Sequence, residues 1–278
     1  MEFLFSLIFY VFCSTPPILA GAPGVSRVAD VLTGSGVSEL SYAGRKIESE
    51  IQELHKHHAT SIFGETVSDS YASTFERVKV LKNAIDEIGL DPATETCFQN
   101  APGWLWTQFR TVARVIKRRD VLQAKRDVFY TRLGGFDTHS DNGPKFTELM
   151  TETNAAIKCF VEEMKKQGVW QDITIVTASE FGRTMTSNGL GTDHAWSGNH
   201  LIMGGGIKGK QIFGKFPNDL TADGPLNIGR GRLIPEVSWD SLWNALGKWF
   251  GLTQDLIDGV LPNAQNFPNL LEETDLYK

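Results

Sequence analysis

Apolar and polar positions along the chain fall into two periods that separate helices from strands. Residues 103–119 place Leu105, Phe109, Val112 and Ile116 three to four apart, the spacing that lines one face of a helix. Asp127 to Leu133 is rich in β-formers and ends at Gly134 and Gly135, which predicts a buried strand followed by a loop. Pro144 opens the next helix, in the first turn where proline is favoured. That helix carries Leu149, Thr153, Ile157, Phe160 and Met164 on one face until Gly168 stops it. A second strand follows at 173–177, a third at 201–203 and a short fourth at 211–213. Ser238 and Gly251 bracket a helix at about 239–250. Upstream, amphipathic helices are expected near 44–58 and 75–88, with a loop over 59–73.

A strand, a crossover helix and a second strand make a unit whose strands run parallel. The expected fold is therefore α/β, a mostly parallel sheet flanked by helices. Residues 1–22 are expected to be a signal or a hydrophobic N-terminus, 23–97 a helical N-terminal region, and 98–270 the C-terminal part of the core. Phe3 to Cys13 is almost wholly apolar, and Ala20-Gly21-Ala22 offers small residues for cleavage, as in a secretory signal. A buried hydrophobic element is the competing reading, since the segment begins with Glu2 and has no basic residue. The run is too short to cross a bilayer comfortably. No stable membrane span is expected, and the location expected is secreted or extracytoplasmic.

The 278 residues are 41% hydrophobic and 22% charged, with a net charge of −6. That balance is ordinary for a globular protein and gives no basic footprint for nucleic acid. The three cysteines, Cys13, Cys97 and Cys159, match neither a zinc knuckle nor a redox pair. Cys159 falls on an apolar helix face and reads as core. His55 and His58 share a helix face, where a surface metal site competes with basic side chains placed at a helix C-terminus.

Three segments deliver polar side chains to the carboxyl edge of the expected sheet, where ligands of open α/β folds bind. Strand 127–133 leads into Asp137 and His139. Strand 173–177 leads into Glu180 and Arg183. Asp193, His194, Trp196, Asn199 and His200 then lead into the third strand. Three of the six histidines thus fall at one edge. Imidazole with carboxylate suits zinc, manganese or iron. A metal site is expected somewhere in this set, with Trp196 and Asn199 as candidate substrate contacts. Arg183 beyond a strand is suited to holding an oxyanion. Each group alone also fits a structural role: a turn cap, a loop histidine, a salt bridge.

The blocks Gly134-Gly-Phe-Asp-Thr-His139, Ser179-Glu-Phe-Gly-Arg-Thr184, Gly191-Thr-Asp-His-Ala-Trp196, Gly198-Asn-His200 and Gly229-Arg-Gly-Arg-Leu-Ile-Pro235 resemble the signature blocks of the domain-of-unknown-function family 1501. The resemblance runs from about residue 98 to 270. It implies an alkaline-phosphatase/sulfatase-like core with metals bound by Asp and His late in the chain, and by motif match Asp137, His139, Asp193, His194 and His200 are the candidate ligands. Either Glu180 or the Asp193-His194 pair then fills the position of the superfamily's Asp-His pair. The superfamily pattern also has a first strand ending in a metal-binding Asp, followed by a nucleophile. No Val/Ile-rich run in residues 1–97 ends in an Asp, so the sheet is expected to lack its N-terminal strand. The function implied is a metal-dependent hydrolase of phosphate or sulfate esters. Glu180 and Arg183 would be its catalytic residues, a divalent ion, zinc first, its cofactor, and a small-molecule ester or anion its substrate. The alternative is a catalytically degenerate member that acts as a binding or interaction protein.

Overall fold

The computed structural model of the chain describes residues 79–86, 88–122 and 125–278, with short stretches before them at 6–14, 41–42, 45–46, 49–50, 53, 56–57, 61 and 64–65. The strands are β1 (Ser6–Ser14), β2 (Ser41–Tyr42), β3 (Arg45–Lys46), β4 (Arg126–Gly134), β5 (Ile173–Ser179), β6 (Gly182–Ser187), β7 (Thr192–Ala195) and β8 (Ile202–Gly204). The helices are α1 (Pro92–Gln99), α2 (Leu105–Lys117), α3 (Asn142–Lys166), α4 (Trp239–Trp249), α5 (Gln254–Val260) and α6 (Glu273–Leu276). Residues 79–86 are also helical, inside the expected 75–88. The expected helix at 44–58, with His55 and His58, and most of the loop at 59–73 lie outside the described residues. Within the former span, Arg45–Lys46 is a strand and residues 49, 50 and 53 are helical. Among the described residues no helix is long and apolar enough to cross a membrane.

The main sheet has the order β4-β1-β5-β8. Strands β4 and β5 run in the same direction, because α3 carries the chain back between them. They are not neighbours. β1 lies between them and is antiparallel to both, with Tyr10 opposite Tyr130 on one side and Val176 on the other. β8 adds to the far side of β5, again antiparallel, with Ile175 opposite Met203. Every ladder among the described strands is therefore antiparallel, which overturns the expected mostly parallel sheet. The apolar run at the N-terminus fills the gap between β4 and β5, so the sheet has an N-terminal strand where it was expected to lack one. Residues 211–213, expected as a strand, are irregular.

Side chains of β5 alternate between two packing layers, as the period of a strand requires. Ile173 and Ile175 face Phe98, Phe109, Phe160 and Met164 of the helices α1 to α3. Val176 faces Leu242, Leu246 and Leu276 of α4 and α6. On that second face the buried Thr174 and Tyr277 hydroxyls share a hydrogen bond of 2.9 Å. Two devices hold the helical layer together. Cys97 of α1 is bridged to Cys159 of α3 across 62 residues, so the cysteine read as core is buried and also paired. Glu152 of α3, 9% exposed, accepts from the backbone N–H groups of Trp104 and Leu105 at 2.6 and 2.7 Å. It thereby caps the N-terminus of α2, which has no side-chain cap of its own.

Candidate metal centre

β4 and β5 point their carboxyl ends to the same edge, and the segments that leave them meet there. From β4 the chain turns at Gly134 and Gly135 into Phe136, Asp137, Thr138 and His139. From β5 it passes Glu180 and Phe181 into a hairpin of β6 and β7, in which Arg183 pairs across the ladder with His194. That hairpin sits hard against the first loop. A side chain at Gly191 would place its Cβ 2.5 Å from the Thr138 carbonyl oxygen, so only glycine permits this approach. The Thr192 N–H donates to the same oxygen at 3.4 Å.

Three side-chain atoms converge between the two loops. His194 Nε2 is 2.9 Å from Asp137 Oδ1, His139 Nε2 is 3.0 Å from it, and the two Nε2 atoms are 3.1 Å apart. This near-equilateral triangle is poorly served by hydrogen bonds alone. Two ring nitrogens supply at most two hydrogens, so with the carboxylate ionised at least one edge has none. A cation facing all three lone pairs satisfies them together. Ligand atoms about 2.1 Å from one divalent ion lie about 3 Å apart at right angles around it and about 3.4 Å apart in a tetrahedron. Asp137, His139 and His194 could thus hold a divalent ion by donor type, with spacings nearer the right-angled arrangement.

The surroundings fix this triangle. Asp193 stands behind His139, its Oδ1 3.4 Å from Nδ1, on the ring nitrogen opposite the cluster. Asn188 Nδ2 donates to that Asp193 oxygen at 3.0 Å, and Arg230 pairs with the other oxygen at 2.6 Å. The Asn188 hydrogen bond is the leading reason the Asp193 carboxyl sits below its usual range; Arg230 and His139 add to it, against partial burial. Phe181 stacks on the His194 ring at 4.0 Å and fixes its plane. Arg183 donates to the Thr192 and Phe136 carbonyls at 2.7 and 2.6 Å and to Asp137 Oδ1 at 3.0 Å, tying both loops together. Burial works to raise the Asp137 carboxyl. Hydrogen bonds from His194 and Arg183 outweigh it, so the group lies below the usual carboxylate range and stays anionic at neutral pH.

The structure thus brings together Asp137, His139 and His194, with Arg183 and Asp193 in supporting positions. Asp193, expected as a ligand, lies behind His139 and outside the group of three. His200 lies apart, its ring 4.6 Å from that of Trp239 and its Nδ1 buried without a partner among the described residues. Burial pushes the His200 ring below its usual value, toward the neutral form. Glu180 and Trp196 are exposed and outside the triangle. Asn199 is exposed on the wall of a neighbouring cleft of about 670 Å³, which His200, Phe181 and Arg183 also line. Sequence reasoning missed Phe181, Asn188 and Arg230. Phe181 lies inside a motif already singled out, but its stacking depends on a hairpin that the periodicity does not reveal. Arg230 reaches the site from another block.

Fold and site together define a mixed α/β protein with a His-His-Asp cluster at the sheet edge. The profile of the family described as "Protein of unknown function (DUF1501)" matches residues 51–227, well over half of the chain, and the chain belongs to that family. Searches of the curated proteins and of the solved structures found no match.

Proposed function

We propose that the chain is a metal-dependent hydrolase of phosphate or sulfate esters, of the alkaline-phosphatase/sulfatase-like type, with a divalent ion, zinc by donor preference, held by Asp137, His139 and His194. The observation that carries this reading is the triangle of ligand atoms at 2.9, 3.0 and 3.1 Å. A divalent ion there would supply Lewis-acid polarisation of an ester oxygen. The chain's own residues do the rest. Asp193 accepts the Nδ1 proton of His139 and so leaves the Nε2 lone pair free to bind, as carboxylates behind ligating histidines do. Phe181 holds His194 in the plane that aims its Nε2 at the same point. Arg183 keeps Asp137 in place and adds positive charge beside the anionic group of a substrate. Hydrolysis adds water across the ester, giving an acid anion and an alcohol.

The test is hydrolysis of aryl phosphates and aryl sulfates by the full chain, with zinc or with chelator, in wild type and in His194→Ala. The reading predicts turnover that needs the ion and is lost in the variant. Turnover indifferent to both would reject it. A chain that binds zinc and turns over neither ester class would favour the degenerate binding protein.

A further inference from the structure

A cleft beside the cluster has no role in the reading so far. It spans about 670 Å³, within the range of small-molecule sites. Large apolar side chains that are more than a third exposed line it, including Phe146 at 50%, Leu201 at 52%, Met185 at 54%, Ile212 at 73% and Phe216 at 50%. A soluble surface gathers such side chains into one concavity where something apolar binds.

Two further observations narrow the occupant. Thr153 of α3 lines this cleft and is 3% exposed, yet its hydroxyl has no partner among the described residues. Thr147 and Thr151 of the same helix return their hydroxyls to the carbonyl four residues back, at 2.9 and 2.7 Å. Thr153 does not, so a buried hydroxyl is left on the cleft wall at a cost in stability that a ligand would relieve. His200 presents a second unpartnered buried atom, Nδ1, on the same wall. The cleft is also continuous with the cluster. Phe181 lines it and stacks on His194, and Arg183 lines it and donates to Asp137.

We propose that this cleft receives the apolar body of the substrate, an aryl or medium-chain alkyl group carrying one hydrogen-bonding group, while its ester anion lies at the Asp137–His139–His194 cluster. The inference rests on the hydrolase reading and adds the substrate class: amphipathic esters, in preference to small polar ones. Thr153 and His200 meet the polar group on the body, and Arg183 stands at the junction of the two halves.

Two arms of one binding experiment separate the cleft from the metal. In the first, the full chain in EDTA is titrated with N-phenyl-1-naphthylamine, an uncharged fluorescent probe of apolar sites. Wild type is expected to bind it with the ion removed. The double variant Ile212→Glu/Phe216→Glu is expected to bind it at least tenfold more weakly. Both positions are exposed, so the fold tolerates the change, and Met150→Trp, which fills the cleft from α3, gives a second blockade. In the second arm the zinc-loaded chain is titrated with octylphosphonate and methylphosphonate, followed by the fluorescence of Trp239 against His200. Octylphosphonate is expected to bind more tightly by roughly thirtyfold or more, because its extra methylene groups are buried. That preference falls below threefold in the double variant, with methylphosphonate affinity unchanged.

Probe binding that ignores both blockades would overturn the proposal. So would equal affinity for the two phosphonates. Failure of both phosphonates to bind, with the first arm as expected, would overturn the hydrolase reading and this inference with it. A dimer abolished by the double variant would give the cleft to a second copy of the chain.

Discussion

His139 and His194, which lie 55 positions apart in the chain, bring their Nε2 atoms to 3.1 Å of each other over the same oxygen of Asp137. Side chains from two loops meet at this point because β4 and β5 run the same way and the β6–β7 hairpin folds back against the first loop.

Asp193 acts through His139 in this account. Asp193→Asn keeps the shape and removes the charge behind Nδ1. Zinc affinity is expected to fall about 10- to 100-fold with the stoichiometry unchanged. Competition with a chelator of known affinity measures it, and an unchanged affinity would place Asp193 outside the site's support.

Arg183 is the tie between the two loops. Arg183→Met removes donors to two carbonyls and to a carboxylate, and is expected to destabilise the chain by about 2–3 kcal/mol. Chemical denaturation reads the loss. Zinc should restore part of it in the variant, since an ion bound by both loops replaces the tie.

Glu152 caps α2 from a neighbouring helix. Glu152→Ala strands two backbone N–H groups in a buried place and should cost about 2–4 kcal/mol. Glu152→Gln keeps one acceptor oxygen and should cost less. Equal losses in the two variants would show that the cap does not act through the carboxylate's hydrogen bonds.

The Cys97–Cys159 bridge closes a long loop. In the chain-entropy view a loop of this size contributes about 4 kcal/mol. Cys97→Ser/Cys159→Ser should lose stability of that order, and reduction of the wild-type chain should release two thiols. Such bridges persist in oxidising compartments.

Local pattern made part of this structure legible. The alternation in β5, the helical faces of α2 and α3, and the caps of α4 all follow from spacing and from end residues, and each lies within a few residues of its expected place. What pattern could not supply is partnership between distant segments. Nothing within residues 126–179 says that another strand lies between β4 and β5. The apolar run of β1 is as good a central strand as a secretory signal, because both need continuous hydrophobicity. Cys97 and Cys159 belong to helices whose packing was not foreseen, so their pairing could not be read. At the site, residue types singled out Asp137, His139 and His194, which converge, together with Glu180, Asp193 and His200, which lie outside that group. Residue type alone does not separate the Asp137 carboxylate, which faces both Nε2 atoms, from Asp193, which stands behind His139. Nor does it reveal that His200 lies against Trp239, apart from the cluster.

Metal content bears most directly on the central idea. The full chain is purified without chelator, equilibrated with zinc, freed of excess ion and subjected to elemental analysis beside His139→Ala/His194→Ala. About one ion per wild-type chain is expected and almost none in the double variant, with both chains folded by circular dichroism. A wild-type chain that holds no ion, or a double variant that holds as much as wild type, would contradict it.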